Sequence, residues 1–357
     1  MRNPQRLFAE LPDRPCFCIA PIAKRLGYFM RRLLFILGSL GFLVFGGWML
    51  ANMDKIRSTD DFFRILGHQI SELGGGAVPQ NAPWRSPAEH VIRIGSFNAN
   101  GLNDAKTKDP RNVAIISEII RHFDVVAIQE FDAADPFAIK RFVKNLNATG
   151  RSFEIVRGTS QPGLASAQQS VILYDASVIE LESGQYYNIN DPDDVLLRDP
   201  LVAWFRTRAD TGAFTFTLVN VHLDPSSPEN EMRQLGQIFR AVRNDGRAED
   251  DVILAGDFGV GGFKLNELAA NSGLQAVNTD MPTNTSSTNL FDNFMLDPLA
   301  TSEFTGEAGV FDFMKLFNLT LEQAQAVSDH LPVWAEFDVF EQAASDRVAE
   351  MSDTEQK

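Results

Sequence analysis

The chain reads as an α/β sandwich of about 250 residues lying between Val91 and Val339. Three features carry that expectation. Short apolar runs of period two recur through the span, and in "FTFTLVNVHL" Phe214, Phe216, Leu218, Asn220 and His222 share one face. Segments of helical period separate many of these runs, so strands are joined by crossovers as well as by hairpins. Carboxylates, amides and histidines close the runs, as they do where loops at one rim of a sandwich build a site.

The elements follow along the chain. "VIRIGSF" (91–97) is a first strand, rich in β-branched residues, and 111–122 is a helix. "DVVAIQE" (124–130) is a second strand and 136–147 a second helix. "SVILYD" (170–175), "LVAWFRT" (201–207) and "FTFTLVNVHL" (214–223) are three further strands. Helices over 229–244, 264–272 and 320–326 precede "DVILAGDF" (251–258), "LFDNFML" (290–296) and "PVWAEFDV" (332–339) in turn.

Before this body, residues 1–32 form a basic segment with a net charge of +5, although the whole chain carries −15. Residues 33–51 run for 19 positions without a charge. At about 1.5 Å per residue such a helix crosses a hydrocarbon core about 30 Å thick. The basic cluster ahead of it predicts a signal-anchor, with the remainder exported to a periplasmic or extracellular space, or secreted if the segment is cleaved. A start at Met30 would give the same span a short basic leader. Residues 52–90 are expected to hold a juxtamembrane helix and a linker rich in Gly and Pro, and 340–357 a polar tail. Cys16 and Cys18, the only cysteines, lie in the basic segment, so a metal in the body would be held by oxygen and nitrogen. An acidic body argues against gripping nucleic acid through a broad basic surface, but not against binding phosphate locally or through a metal ion.

The strand ends carry the chemistry. They present Asn98, Glu130, Asn220 with His222, Asp257, Asp292, and Asp329 with His330. This set suits metal-assisted hydrolysis of a phosphate ester. Carboxylate oxygens hold Mg²⁺ or a similar hard ion. A histidine kept basic by a carboxylate takes a proton from water, and amide donors steady the non-bridging oxygens. Singly, each run reads equally well as a buried strand with a solvated end; order and spacing together carry the reading. "LAGDFGVGG" (254–262) is then the end of a central strand delivering Asp257, since neither a His-Arg-Asp loop nor a G-x-G-x-x-G opening accompanies it.

"SFNANGL", "VVAIQE", "LRDPLVAWF", "VNVHLDP", "VILAGDF", "LFDNFML" and "SDHLPV" resemble the signature blocks of the endonuclease/exonuclease/phosphatase superfamily over residues 91–339, and within it those of deoxyribonuclease I. The resemblance implies a four-layer α/β sandwich, two packed mixed sheets flanked by helices. It implies Asn98, Glu130 and Asp329 at a Mg²⁺ or Mn²⁺ ion, with Ca²⁺ as a structural ion. His222 would act on the leaving group or phosphate, Asp257 would orient nucleophile or phosphate, and Asp292 would raise the basicity of His330 as general base. Arg198 and Asn220 would contact substrate.

Two departures from the pattern stand out. The family's Gly-Asp-x-Asn reads "GDFG" here, so Gly259 stands where an amide donor is expected; losing one such donor costs on the order of 3 kcal/mol of transition-state stabilisation. Where a glutamate supports the first histidine, "SAQQSVILY" offers Gln168 or Gln169, and a neutral amide cannot stabilise an imidazolium. The expected function is a metal-dependent phosphodiesterase, foremost a DNA endonuclease. Alternatives are a phospholipid or phosphoinositide phosphoesterase, or a catalytically weakened binding domain. No protein partner is implied.

Overall fold

The alternating runs resolve into two six-stranded sheets in the computed structural model, which describes residues 90–132, 135–159, 168–270 and 272–342. In chain order the strands are β1 Val91–Asn103, β2 Val125–Asp132, β3 Phe153–Arg157, β4 Gln169–Asp175, β5 Ile179–Asn188, β6 Leu201–Thr207, β7 Thr215–His222, β8 Val252–Asp257, β9 Gln275–Ala276, β10 Asp292–Leu296, β11 Phe304–Val310 and β12 Val333–Asp338. The helices are α1 Pro110–Arg121, α2 Pro136–Leu146, α3 Pro228–Arg243, α4 Gly262–Ala270, α5 Phe313–Leu316 and α6 Leu321–Val327. The basic segment, the anchor at 33–51, the juxtamembrane stretch and most of the tail fall outside the described residues. Among those described, no helix is long and apolar enough to cross a membrane.

One sheet runs β11-β12-β1-β2-β4-β3 and the other β5-β6-β7-β8-β10-β9. Each holds one parallel pair at its centre, β1 with β2 and β7 with β8. Parallel neighbours require a crossover, and α1 and α3 supply them. Both helices carry proline in their first turn, where its missing N–H costs nothing. Asp109 caps α1 by accepting from Arg111 N at 2.9 Å.

Strand alternation sorts the apolar residues into three buried layers. Val126, Ile128 and Leu173 face α1, α2 and α5 through Ile116, Phe142 and Phe313. Ala127, Ile172, Phe216, Leu218 and Ala255 fill the space between the sheets. Val219, Val221 and Leu254 meet Leu235 and Phe239 of α3. Three apolar layers separate four structural ones, so the four-layer sandwich is present.

Close approach of the central strands depends on Gly256. A Cβ there would stand 1.8 Å from the Val221 carbonyl oxygen. No side chain fits, and the contact keeps the ends of β7 and β8 together. Near the same end, the interior turns polar. Gln129 donates to Asn220 Oδ1 at 2.8 Å, and Asn220 Nδ2 donates to the carbonyls of Ile128 (3.0 Å) and Val171 (2.9 Å). This bridge fixes one sheet on the other, because each buried donor would be costly to strand.

Candidate active site

The C-terminal ends of the four parallel strands each deliver one polar side chain to the same rim: Asn98 from β1, Glu130 from β2, His222 from β7 and Asp257 from β8. The antiparallel strand β10 begins there with Asp292, in register with Asp257, which is itself in register with His222. Three neighbouring strands thus line up His222, Asp257 and Asp292.

Backbone irregularity aims the first two. The β1–β2 pairing shifts after Asn98 and the β2–β4 pairing shifts after Ile128. Within the second bulge Glu130 has φ +57°, an uncommon conformation for a residue with a Cβ. Such geometry costs on the order of 1–3 kcal/mol and persists where surroundings enforce it. Asn98, 1% exposed, donates from Nδ2 to Asp257 Oδ2 (3.0 Å) and Glu130 Oε1 (3.4 Å), while its Oδ1 accepts from Asn100 N (2.9 Å). In this arrangement Asn98 is a donor that positions both carboxylates.

His330 follows α6 and approaches from the other side. Its Nδ1 is 2.9 Å from Asp292 Oδ2, and its Nε2 is 3.8 Å from Asp257 Oδ2. Burial works against a charged imidazole here, but the Asp292 charge and hydrogen bond, then Asp257 and Asp329, push its pKa up to about 10. The resemblance implies that Asp292 raises the basicity of His330, and the surrounding carboxylates raise it far enough to favour the protonated imidazole. Thr283 holds Asp292 from behind, donating to Oδ2 at 2.7 Å and accepting from Asp292 N at 3.1 Å. Ser328 ties the segment to β1, donating to Asn98 O at 2.7 Å and accepting from His330 N at 3.0 Å.

Asp257 is the centre of the group. Burial and the nearby Asp292 charge raise its pKa to about 6, against the opposing effects of His330, Asn98 and the Gly259 N–H. His222 Nε2 lies 3.7 Å from Glu130 Oε1 and 3.9 Å from Asp257 Oδ2. Burial, then the Arg198 and His330 cations, hold its pKa well below 6.5, so it is neutral at neutral pH. Arg198, ahead of β6, lines a crevice with Glu130 and His222, and its Nε and Nη1 are buried without hydrogen-bond partners. A guanidinium held this way is ready for an anion.

One expectation is corrected. Asn220 is 0% exposed and its amide is engaged between the sheets, so it serves the fold and not the substrate. Gln169 turns its carbonyl to Arg157 (2.8 Å), whereas Gln168 approaches Glu130 Oε2 at 3.5 Å. Asp329 has its carbonyl held by Thr285 N (2.8 Å), and its charge is felt by Lys106 and His330. Lys106 was not foreseen: its ammonium bridges the carbonyls of Ala99 (3.1 Å) and Val327 (3.0 Å), joining the β1 rim to the segment that carries His330. Nothing in "NDAKTKD" separates it from a solvated lysine. Gly259 sits at φ +64°, with its N–H donating to Asp257 Oδ1 at 2.9 Å.

The donor set fits a hard divalent ion. Asp257, Asp292 and His330 offer ligand atoms within 4.8 Å of one another and could hold a metal once His330 gives up its proton, and Asp292 Oδ1 is buried with no partner. Glu130 adds a carboxylate with the amides of Asn98 and Gln168 and neutral His222 around it. Oxygen and nitrogen donors without sulfur suit Mg²⁺ or Mn²⁺.

The body of the chain is similar to known proteins in sequence. A profile of the Endonuclease/Exonuclease/phosphatase family matches residues 95–288. Deoxyribonuclease gamma of Rattus norvegicus is 26% identical over 259 residues, covering 68% of this chain and 83% of its own length. Deoxyribonuclease-1-like 1 of Homo sapiens is 29% identical over 258 residues, covering 69% and 84%. A solved endonuclease/exonuclease/phosphatase family protein from Bacteroides thetaiotaomicron superposes with a TM-score of 0.49 at 17% identity, covering 70% of this chain and 98% of its own.

Proposed function

The chain belongs to the endonuclease/exonuclease/phosphatase family, and from that membership we propose that it is a metal-dependent phosphodiesterase that cleaves DNA internally. The observation that carries the reading is the convergence of Glu130, His222, Asp257 and the Asp292–His330 pair on one rim. The deoxyribonucleases to which the body is similar over most of their length support DNA as the substrate.

Each group has a task set by its charge state. Asp257, titrating near 6, is ionised at neutral pH and takes a proton from the water that attacks phosphorus. Protonated His330 donates from Nε2 to a non-bridging oxygen and stabilises charge as the P–O bond to the leaving alkoxide breaks. Arg198 receives a phosphate oxygen on its unpaired guanidinium edge. Neutral His222 hydrogen-bonds the phosphate without supplying charge. Glu130 and Asp329 would hold the Mg²⁺ or Mn²⁺ ion, which supplies Lewis-acid stabilisation of the departing oxygen. The anchor at 33–51 would keep this body on the exported side of a membrane.

Nicking of supercoiled plasmid by the full chain, with Mg²⁺ or Mn²⁺ and with EDTA, tests the reading. Metal-dependent nicking abolished in His330→Ala supports it. Cleavage of phospholipid with intact plasmid would replace DNA by a lipid substrate. A second reading, a weakened phosphodiester-binding domain, is favoured by Gly259 and by the glutamine that stands where a supporting glutamate is expected. It would stand if DNA is bound and no phosphodiester is cleaved.

A further inference from the structure

Arg198 owes its place in the crevice to its backbone. It lies between β5 and β6, in a segment from Ile189 to Pro200 that forms neither helix nor strand. Nε and Nη1 of its guanidinium reach no hydrogen-bond partner, so nothing at those atoms fixes where the charge sits. Two neighbours hold the segment instead. Leu196 is buried in the apolar layer that α3 covers. Leu197 leaves its side chain exposed, but its N–H donates to Glu231 Oε1 at 2.6 Å.

Glu231 belongs to the first turn of α3 and is 4% exposed. Its second oxygen, Oε2, accepts from Asp224 N at 2.7 Å. Asp224 lies two residues beyond His222, where the chain leaves β7. One buried carboxylate thus joins the segment that carries Arg198 to the segment that follows His222. Burial pushes the pKa of Glu231 up, while the N–H groups of Leu197 and Asp224 and the Arg198 cation favour its charged form. Both of its backbone partners border the active site.

We propose that Glu231 is a positioning residue for phosphate binding: fastened to Leu197 N and Asp224 N, it sets the Arg198 guanidinium against His222 so that one phosphate meets both. The proposal rests on the phosphodiesterase reading above. The geometry selects a carboxylate. Two N–H donors converge on one side chain, and glutamate offers an acceptor oxygen to each. Glutamine has a single acceptor oxygen, and its NH₂ would face the other N–H donor to donor. Aspartate keeps both acceptors but is one methylene shorter. Hydrogen bonds to a charged acceptor are also the stronger kind. A segment released from Glu231 would carry Arg198 with it, and a misplacement of about 1 Å is enough to impair a site.

A double-mutant cycle in the full chain, read by steady-state plasmid nicking, tests this. Glu231→Gln is expected to raise KM about tenfold with kcat within about twofold, because the interaction lost is binding common to ground and transition states. Glu231→Asp keeps the buried charge at shorter reach and gives a second variant with the same expected rise. In the Arg198→Ala background Glu231→Gln should add nothing to KM, since the residue it positions is gone. A role in stability alone would lower Tm and leave KM unmoved. The same cycle followed by phosphorus NMR titration with inorganic phosphate in EDTA needs neither DNA nor cleavage. Affinity should fall in Arg198→Ala and in Glu231→Gln by similar factors, and no further in the double variant. That coupling without any nicking would sink the DNA reading and leave Glu231 in its role. Nicking by the parent with an unchanged KM in Glu231→Gln, or with fully additive effects of the two substitutions, would overturn the proposal and leave the phosphodiesterase reading intact. A parent that neither nicks DNA nor binds phosphate would overturn both.

Discussion

His330 Nδ1 lies 2.9 Å from Asp292 Oδ2, and the carboxylate, fully buried and braced by Thr283, keeps the proton on the imidazole. The pairing charges a histidine that burial alone would leave neutral. Removing the charge of Asp292 should therefore change the state of His330 while leaving its position intact. In Asp292→Asn the His330 pKa is expected to fall from about 10 toward or below 6.5, read by NMR titration of the imidazole. The sign for stability follows from linkage. A pKa raised on folding gives stabilisation that is complete below about 6.5 and is lost as pH rises toward about 10. Urea unfolding of the parent should show that decline, and the variant should flatten it.

Asp257 sets the acid limb of activity. With its pKa near 6, cleavage should rise as pH passes through about 6 and fall again where His330 loses its proton. Asp257→Asn should lose activity by a factor of about 10² or more, and Asp292→Asn should move the alkaline limb downward. An alkaline limb that stays in place would remove His330 from the role given to it.

Gly259 can be tested in both directions. At φ +64° asparagine is among the few residues tolerated, and a Cβ would meet Pro228 Cβ at 3.3 Å, Pro228 Cγ at 3.8 Å and Pro225 Cα at 3.9 Å. Gly259→Asn is expected to raise kcat by about 10- to 100-fold with little change in KM, by restoring a donor near Asp257. Gly259→Ala adds the strain without the donor and should lose about 1 kcal/mol of stability with no gain in rate. A flat response in the asparagine variant would mean that the site has been rebuilt around glycine.

Arg198 acts on substrate and on His222 together. Arg198→Ala should raise KM for plasmid DNA and let the His222 pKa move up, since the guanidinium is one of the cations holding it down. Steady-state kinetics and imidazole NMR read the two effects separately. A change in KM with no movement of His222 would confine Arg198 to phosphate binding.

Thr283 is the brace behind the Asp292–His330 pair. Its hydroxyl donates to Asp292 and accepts from Phe291 N (2.9 Å) and Asp292 N (3.1 Å). Thr283→Val strands these buried groups and should cost about 1–3 kcal/mol in urea unfolding. Activity should drop further than stability accounts for, because Asp292 loses its orientation.

The chain's own alternation was enough to locate every interior strand and none of the edges. All eight expected strands are inner strands of the two sheets, whereas β3, β5, β9 and β11, which flank them, were not foreseen. Inner strands such as "VILAG" are buried on both faces and between neighbours, so apolar runs mark them. Edge strands such as "FTGEAGV" are exposed over much of their length and carry glycine and charge.

The site divides in a similar way. Glu130, His222, Asp257, Asp292 and His330 were legible because strand termini and motif order single them out. The departure at Gly259 was legible there too. What only the tertiary structure decided is the state and company of those residues. Carboxylates from β8 and β10 gather around His330 and keep it charged, while Arg198 and burial keep His222 neutral. Asn220 was assigned to the substrate by its place in a motif, yet the packing of one sheet on the other takes it out of reach. Protonation and accessibility depend on distances between segments remote in sequence, and those distances exist only once the two sheets are packed.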